Sequence, residues 1–430
     1  MTGRGTPWLI LANRINETIA DTLPPTLAAE AVLQSPRKVW LTEPGDVVLS
    51  AVTVPAAFLA YACEVLGFAP ADVVTLTVPD ATERTLAEGI RRAGLTDRLR
   101  ALAAERPGMR MLPYALDRPT VRLATELGVP LHPYGPGGVS EQTLEAAYRL
   151  NTKSGFRDTA AALGIRVPDG HVCGDEDELY AAVRELSAPR HDLIVKPARS
   201  ANGYGVLRLP RGPWHQVRHT LAGHLAAVLH QSSGWVVEEC IAPARDVSVQ
   251  AAVEPHGTQV LYDGQMRTSN AQFHGYRSPL HAPAGVREEL TGMARRLGDH
   301  LAARGYLGPF SIDARLTPPG KLYAIECNLR RTGTTTLHHL ARRLDPAARP
   351  GDTVWIADTR TATPAAPRDL AEGLARLRQS GLLHDPGRGR GAVLAGDPAV
   401  SGAWSYLVTA GDEAEAELLE QRLRAVLALD

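Results

Sequence analysis

Through the first third of the chain, short β-branched runs alternate with stretches of helical periodicity. Residues 8–12, 47–52, 73–78 and 110–115 read as strands. Residues 56–66, 81–102 and 119–127 carry apolar side chains at helical spacing, and Thr82 and Glu83 suit a helix start near 82–86. Strands alternating with helices predict a parallel sheet covered by helices. A Pro- and Gly-rich segment from His132 to Gly138 then marks a boundary, giving a first domain over residues 1–137.

Residues 139–187 are mainly helical in pattern, with a strand or loop near 166–173. From 192 to about 334 strand patterns dominate, at 193–197, 205–209, 235–239, 247–253 and 259–266. Helices interrupt them near 214–230 and 286–304. A hairpin follows, 310–316 with 322–326, joined by the turn Pro318, Pro319 and Gly320. The tail reads as a helix over 367–379, strands over 391–394 and 403–408, and a helix over 413–427. The division this suggests is a second domain over 138–345 and a small α/β region over 346–430, with 364–367 as the linker.

Composition narrows the classes. The 430 residues hold 46 Lys+Arg against 47 Asp+Glu, a formal charge of −1, with 44% hydrophobic and 22% charged residues. The basic residues are scattered among acids, which disfavours nucleic acid as a partner. The four cysteines are far apart in sequence, so a zinc site or disulfide framework is not expected. No stretch reads as a signal peptide or membrane span, and the chain reads as soluble and cytoplasmic.

The chemistry concentrates between 150 and 335. Glu326 and Asn328 share one face of a strand, and Asp313 can join them if the hairpin pairs through its Pro-Pro-Gly turn. Two carboxylates and an amide oxygen are hard ligands that suit Mg²⁺. Lys196 ends an apolar strand, and the loop from Arg199 to Gly205 follows it. Gly203 and Gly205 would let backbone N–H groups approach a phosphate beside the lysine. Glu238 and Glu239 end another strand, and Asp246 begins the next. Taken singly, each feature also fits a solvated hairpin or an ordinary turn.

In order and spacing, Lys153, Lys196, the glycine loop, Glu238 and Glu239, Asp246, Asp313, and Glu326 with Asn328 resemble the ATP-grasp superfamily over about residues 148–336. The opening strand 9–13, with Asn16 and Glu17, resembles a pre-ATP-grasp domain, and the whole chain resembles the pheganomycin type of peptide ligase. The resemblance implies a mixed α/β fold, an ATP-grasp domain preceded by a parallel-sheet pre-ATP-grasp domain. It implies that Lys153 and Lys196 meet the phosphates of ATP, with Gly203 and Gly205 in a loop closing over them. Glu238 would accept from the adenine amine beside the backbone of Glu239 and Ile241, and Asp246 would hold the ribose. Asp313, Glu326 and Asn328 would hold Mg²⁺. Many of these ligases carry an arginine two residues before the first metal acid, where this chain has Ser311. Arg267, Arg330 or Arg331 would supply that charge.

The implied activity is ADP-forming ligation of a carboxylic or non-proteinogenic amino acid to a peptide, through an acyl phosphate, in peptide-antibiotic assembly. Rival expectations are a dipeptide ligase on free amino acids, an ATP-dependent phosphotransferase, and a nucleotide-binding protein without ligase activity. The polar stretch 270–278, with His274, Tyr276 and Arg277, is a second candidate lid or substrate contact, or simply a mobile surface loop. His338 and His339 read as helix-surface or core residues. The tail could cap the acceptor site or form a homodimer interface.

Overall fold

A computed structural model describes residues 5–18, 24–79, 81, 84–135, 137–187, 192–200, 203–228, 234–269, 272–346 and 353–430. Three sheets organise them. The first is parallel, in the order β3–β2–β1–β4, from β1 (Trp8–Leu11), β2 (Val47–Ser50), β3 (Val74–Thr77) and β4 (Arg110–Pro113). Its central strands are buried on both faces, which is why they read as unbroken apolar runs. The single helix expected over 81–102 is two, Leu86–Arg92 and Thr96–Ala104. Gly94 breaks it with φ of +64°, a conformation that glycine adopts without a Cβ clash. Thr85 caps the first helix by accepting from Glu88 N, while Glu88 bonds back to Thr85. The Thr82 and Glu83 start lies outside the described residues.

The second sheet is antiparallel, in the order β5–β8–β6–β7, from β5 (Gly170–Cys173), β6 (Leu193–Pro197), β7 (Leu207–Leu209) and β8 (Trp235–Glu239). Leu193, Val195, Trp235 and Val237 pack in one core with Leu179, Val183, Leu221 and Leu225 of the covering helices. By strand alternation Ile194, Lys196 and Glu238 face the other way.

The third sheet has eight antiparallel strands, in the order β13–β12–β9–β10–β11–β14–β16–β15. They are β9 (Arg245–Glu254), β10 (Gly257–Ser269), β11 (Gln272–Ser278), β12 (Gly308–Leu316), β13 (Leu322–Asn328), β14 (Val354–Arg360), β15 (Gly391–Leu394) and β16 (Trp404–Ala410). Val247, Val249, Phe310 and Ile312 pack with Leu290, Met293 and Leu297 of the helix Ala284–Ala302 in the core shared with the first sheet. The fold is therefore mixed α/β.

Two strands, β11 and β14, do not show in the hydrophobic pattern. The candidate lid at 270–278 is largely β11, paired on both sides; Asn270 and Ala271 lie outside the described residues. β14 joins β11 to β16, so the tail continues the central sheet. Among the described residues no helix is long and apolar enough to cross a membrane, and all four cysteines are free thiols.

Candidate active site

A cavity lies between the second and third sheets. Ile194, Lys196, Glu238, Glu239 and Ile241 line one wall, and Asp246, Met266, Thr268, Asp313, Ile325 and Glu326 the other, with Lys153 and Gly203 completing the lining. Charged groups and apolar surface thus share one cleft, as a ligand with a planar apolar part and a charged part requires.

Lys153 begins the helix Lys153–Ala162, whose cap is Thr152 accepting from Gly155 N. Its backbone N–H donates to Ala198 O at 2.7 Å, fastening the helix to the strand that carries Lys196. Lys153 Nζ lies 3.0 Å from Ser200 Oγ and 3.4 Å from Glu326 Oε2. Burial first, then Lys196 and Arg330, push the Lys153 ammonium below its ordinary range, against the pull of Glu326.

Lys196 Nζ donates to Glu238 Oε2 in a buried ion pair, and Arg157 Nη1 donates to Glu238 Oε1 at 2.9 Å. Arg157 lies four residues beyond Lys153, so one helix face presents both cations. Sequence reasoning missed Arg157, although that spacing could have found it. Asp246 is held likewise: Arg315 donates to Oδ1 and Thr268 to Oδ2, both at 2.6 Å. Arg315 is two residues past Asp313 and on the same strand face, a period-two signal present in the sequence.

Asp313 and Glu326 stand opposite each other across β12 and β13, and Ser311 stands opposite Asn328. The register shifts between Asp313 and Ala314, leaving Ile325 as the extra residue and turning both Ile325 and Glu326 towards the cavity. Asn328 Nδ2 donates to Asp313 Oδ2 at 3.1 Å and to Ser311 Oγ at 3.2 Å. Burial, then the neighbouring Glu326 charge, pushes Asp313 up to about 7. Burial also opposes the Glu326 charge, but Lys153, Arg330 and Lys196 outweigh it and hold that carboxyl low. Two facing oxygen ligands with a strained proton balance fit a divalent cation, which would relieve their repulsion. Among the described residues no cluster of three or more His, Cys, Asp or Glu surrounds a metal position. The donor set is thus two acids and an amide, which leaves coordination open for phosphate and water.

The remaining candidates separate. Gly203 and Gly205 take φ of +75° and +70°; Gly203 lines the cavity, whereas Gly205 O meets His224 Nε2 at 2.9 Å. Ala201 and Asn202 of that loop lie outside the described residues. Arg330 donates to Asn151 Oδ1 at 2.7 Å beside the acid pair, and its buried Nε has no partner among the described residues. Arg331 donates to Pro113 O at 2.9 Å, towards the first sheet.

Arg267, one of the three arginines expected to supply charge to the transferred phosphate, lies away from the cavity. Met266 and Thr268 point into the cavity, and the residue between them points through the sheet, where Asp358 and Glu420 clamp its guanidinium. His274, Tyr276 and Arg277 are likewise engaged elsewhere: His274 with Asp358, Tyr276 with Ser248 O, and Arg277 with Glu413 and Glu417. Of that stretch Phe273 reaches the cavity. His338 stacks on Tyr262 with ring centroids 4.0 Å apart, and burial lowers it to about 4, as suits a core histidine.

Two family models match the chain: the Pre ATP-grasp domain over residues 35–129 and the PGM1 C-terminal domain over residues 373–423. The L-propargylglycine–L-glutamate ligase of Streptantibioticus cattleyicolor is 27% identical over 331 residues, covering 69% of this chain. The chain spans 65% of that relative's length. Among solved structures, biotin carboxylase from Campylobacter jejuni is 14% identical with a TM-score of 0.63, covering 98% of this chain and 92% of its own. L-amino acid ligase from Bacillus licheniformis is 16% identical with a TM-score of 0.57, covering 98% and 97%.

Proposed function

From the premise that the chain carries a pre-ATP-grasp domain and has the ATP-grasp fold, we propose that it is an ADP-forming carboxylate–amine ligase. It would join a carboxylic or non-proteinogenic amino acid to a peptide or amino acid in natural-product assembly. One observation carries the reading: Lys153, Glu326 and Asp313 converge at one end of a cavity whose other polar anchor is the Lys196–Glu238 pair. The Streptantibioticus relative, by its name a ligase of two amino acids, supports the same class.

A carboxylate is a poor electrophile because its leaving group would be oxide. In this mechanism it attacks the γ-phosphorus of ATP, giving an acyl phosphate and ADP. An amine then attacks the acyl carbon and releases phosphate. Placement and charge stabilisation, not covalent chemistry by the protein, lower the first barrier. Lys153 and Lys196 would hold phosphate oxygens, and Arg330, beside the acids, would offset charge on the transferred group. The Glu238 oxygens accept from Lys196 and Arg157, so Glu238 orients the lysine instead of accepting from the adenine amine, and the backbone of Glu239 and Ile241 would meet the base. Asp246, oriented by Arg315 and Thr268, would take the ribose. Mg²⁺ held by Asp313, Glu326 and Asn328 would supply charge neutralisation at the phosphates. Apolar side chains, Ile194, Met266, Phe273 and Ile325, limit water around an acyl phosphate that hydrolyses readily.

The experiment is incubation with Mg-ATP, a pool of carboxylic acids and a pool of amines and peptides, reading product masses and nucleotides. ADP with a product heavier by one dehydrated acid is expected. AMP with pyrophosphate would remove the acyl-phosphate mechanism. ADP with a stable phosphoester, independent of amine, would indicate a phosphotransferase instead.

A further inference from the structure

Four cations, on three stretches of chain far apart in sequence, lie close enough to act on one another. Arg14 follows β1, Arg37 and Lys38 lie on the 3₁₀ turn Ser35–Leu41, and Arg331 precedes the helix Gly333–Leu344. Lys38 Nζ and the Arg14 guanidinium each lie 4.8 Å from the centroid of the Tyr114 ring. Arg331 N donates to Tyr114 O at 2.9 Å, which brings a third residue to the same place, while the Arg37 guanidinium donates to Ser405 Oγ on β16.

No carboxylate pairs with these four among the described residues; their neighbours are each other, backbone oxygens and hydroxyls. Lys38 is only 3% exposed, yet one of its three N–H groups is matched, by Thr336 Oγ1 at 2.8 Å. A buried ammonium without a counter-charge is costly. Burial, with Arg14, Arg331 and Arg37, accordingly pushes Lys38 well below its ordinary range, and burial with Arg14 pushes Arg37 down to about 9. Arg14, Arg37 and Arg331 nevertheless keep part of their surface accessible. The group is therefore a cationic patch with its ammonium recessed among partly accessible arginines. The first turn of the helix Gly333–Leu344 adds its own positive end, with Thr336 inside it.

The patch adjoins the candidate active site through one run of chain. Asn328 ends β13 beside Asp313, Arg330 stands next to the acids, the Arg331 backbone bonds Tyr114 O, and Thr332 caps the helix. A Cβ on Gly333 would lie 3.8 Å from Phe273 Cε1, and Phe273 lines the cavity. Positive charge left uncompensated on the same run of chain as Arg330 suits an anion other than ATP, whose phosphates the proposed function gives to Lys153 and Lys196.

We propose that Arg14, Lys38 and Arg331, together with Thr336, form the binding site for a carboxylate group of one of the two substrates. The assignment of the anion as a carboxylate rests on the ligase reading, since that reaction class always takes a carboxylic acid. Two guanidinium forks, an ammonium and a hydroxyl suit a planar two-oxygen anion.

The test uses the whole chain at low ionic strength, titrated with sodium acetate, succinate or L-glutamate. Sodium chloride and inorganic phosphate at matched ionic strength are the controls, with the thermal midpoint as readout. Wild type, Lys38→Met and Arg14→Gln are compared, and Mg-ATP affinity is measured in parallel by calorimetry. Arg14 keeps accessible surface, so its variant carries the test if Lys38→Met does not fold. At least one carboxylate should raise the wild-type midpoint saturably. Its half-saturating concentration should rise tenfold or more in the variants, with Mg-ATP affinity within twofold of wild type. Variants that respond like wild type, no response to any carboxylate while Mg-ATP binds, or an equal response to phosphate or chloride would each overturn the site. Failure of wild type to bind Mg-ATP would instead remove the ligase reading, and the carboxylate titration would still decide the patch by the same criteria. With substrates identified, the variant's raised KM should fall on the acid or on the amine alone, which tells whose carboxylate is held.

Discussion

Lys153 Nζ lies 3.4 Å from Glu326 Oε2, so the first residue of a helix on one side of the cleft is ion-paired with an acid of the sheet on the other. The pair couples the cation proposed for phosphate to the acid proposed for Mg²⁺. Lys153→Met should therefore lower ADP formation by about 10²–10³-fold, the typical effect of removing one charge-stabilising donor, about 3–4 kcal/mol. A coupled ADP assay with a competent acid and amine reads the loss. A variant that keeps wild-type turnover would remove Lys153 from the phosphate site.

Asp313 faces Glu326 across the register shift, and the two buried acids repel. Asp313→Asn removes that repulsion, so its thermal midpoint should equal or exceed that of wild type. The Mg²⁺ concentration needed for nucleotide binding should rise tenfold or more, read by calorimetric titration of ATP at increasing Mg²⁺. Unchanged Mg²⁺ dependence would exclude Asp313 as a ligand.

Arg267 separates stability from catalysis. Its guanidinium meets Asp358, whose side chain is fully buried, and Glu420, with Arg360 and His274 also on Asp358. Arg267→Met leaves buried acids short of a counter-charge, which should cost about 3 kcal/mol of unfolding free energy in urea. Because the residue lies on the far side of the sheet, Mg-ATP affinity should stay within twofold. A variant of normal stability and lost nucleotide affinity would return Arg267 to the active site.

Asp117 caps the helix Arg118–Leu127 by accepting from Thr120 N at 2.9 Å, and burial pushes its carboxyl up to about 6. An unfolded aspartate titrates near 3.9. Between these values the folded chain holds a proton that the unfolded chain has lost, so stability falls as pH rises from about 4 to about 6 and stays lower above. Asp117→Asn keeps the cap acceptor and does not titrate. Its unfolding free energy relative to wild type should improve by about 2 kcal/mol between pH 4 and pH 7, measured by urea denaturation at both. An equal difference at the two pH values would show that the buried carboxyl is not raised.

Much of this arrangement is legible without coordinates. The parallel sheet follows from short apolar runs separated by helical stretches, and the hairpin from its Pro-Pro-Gly turn, which puts Asp313 opposite Glu326. β11 is not legible, because His274 and Arg277 read as solvent-facing until Asp358, Glu413 and Glu417 are seen to neutralise them. Arg267 reads as free for the same reason. The cationic patch escapes any scan for spacing, since Arg14, Lys38 and Arg331 are neighbours only after the first sheet docks on the helix Gly333–Leu344. Local pattern fixes which face a side chain takes, while its partner across the fold decides whether it is available for chemistry.

The position of β14 between β11 and β16 also bears on how the chain is made. β11 is complete at Ser278, but the strand that pairs with its outer edge begins only at Val354. At roughly 5–20 residues per second of synthesis, that edge waits for several seconds or more with its hydrogen-bonding groups unpaired. Such an edge is a template for pairing with another chain. A nascent chain stalled short of residue 354 would therefore present its central sheet half-closed, and heterologous expression should be most prone to aggregation when translation slows there.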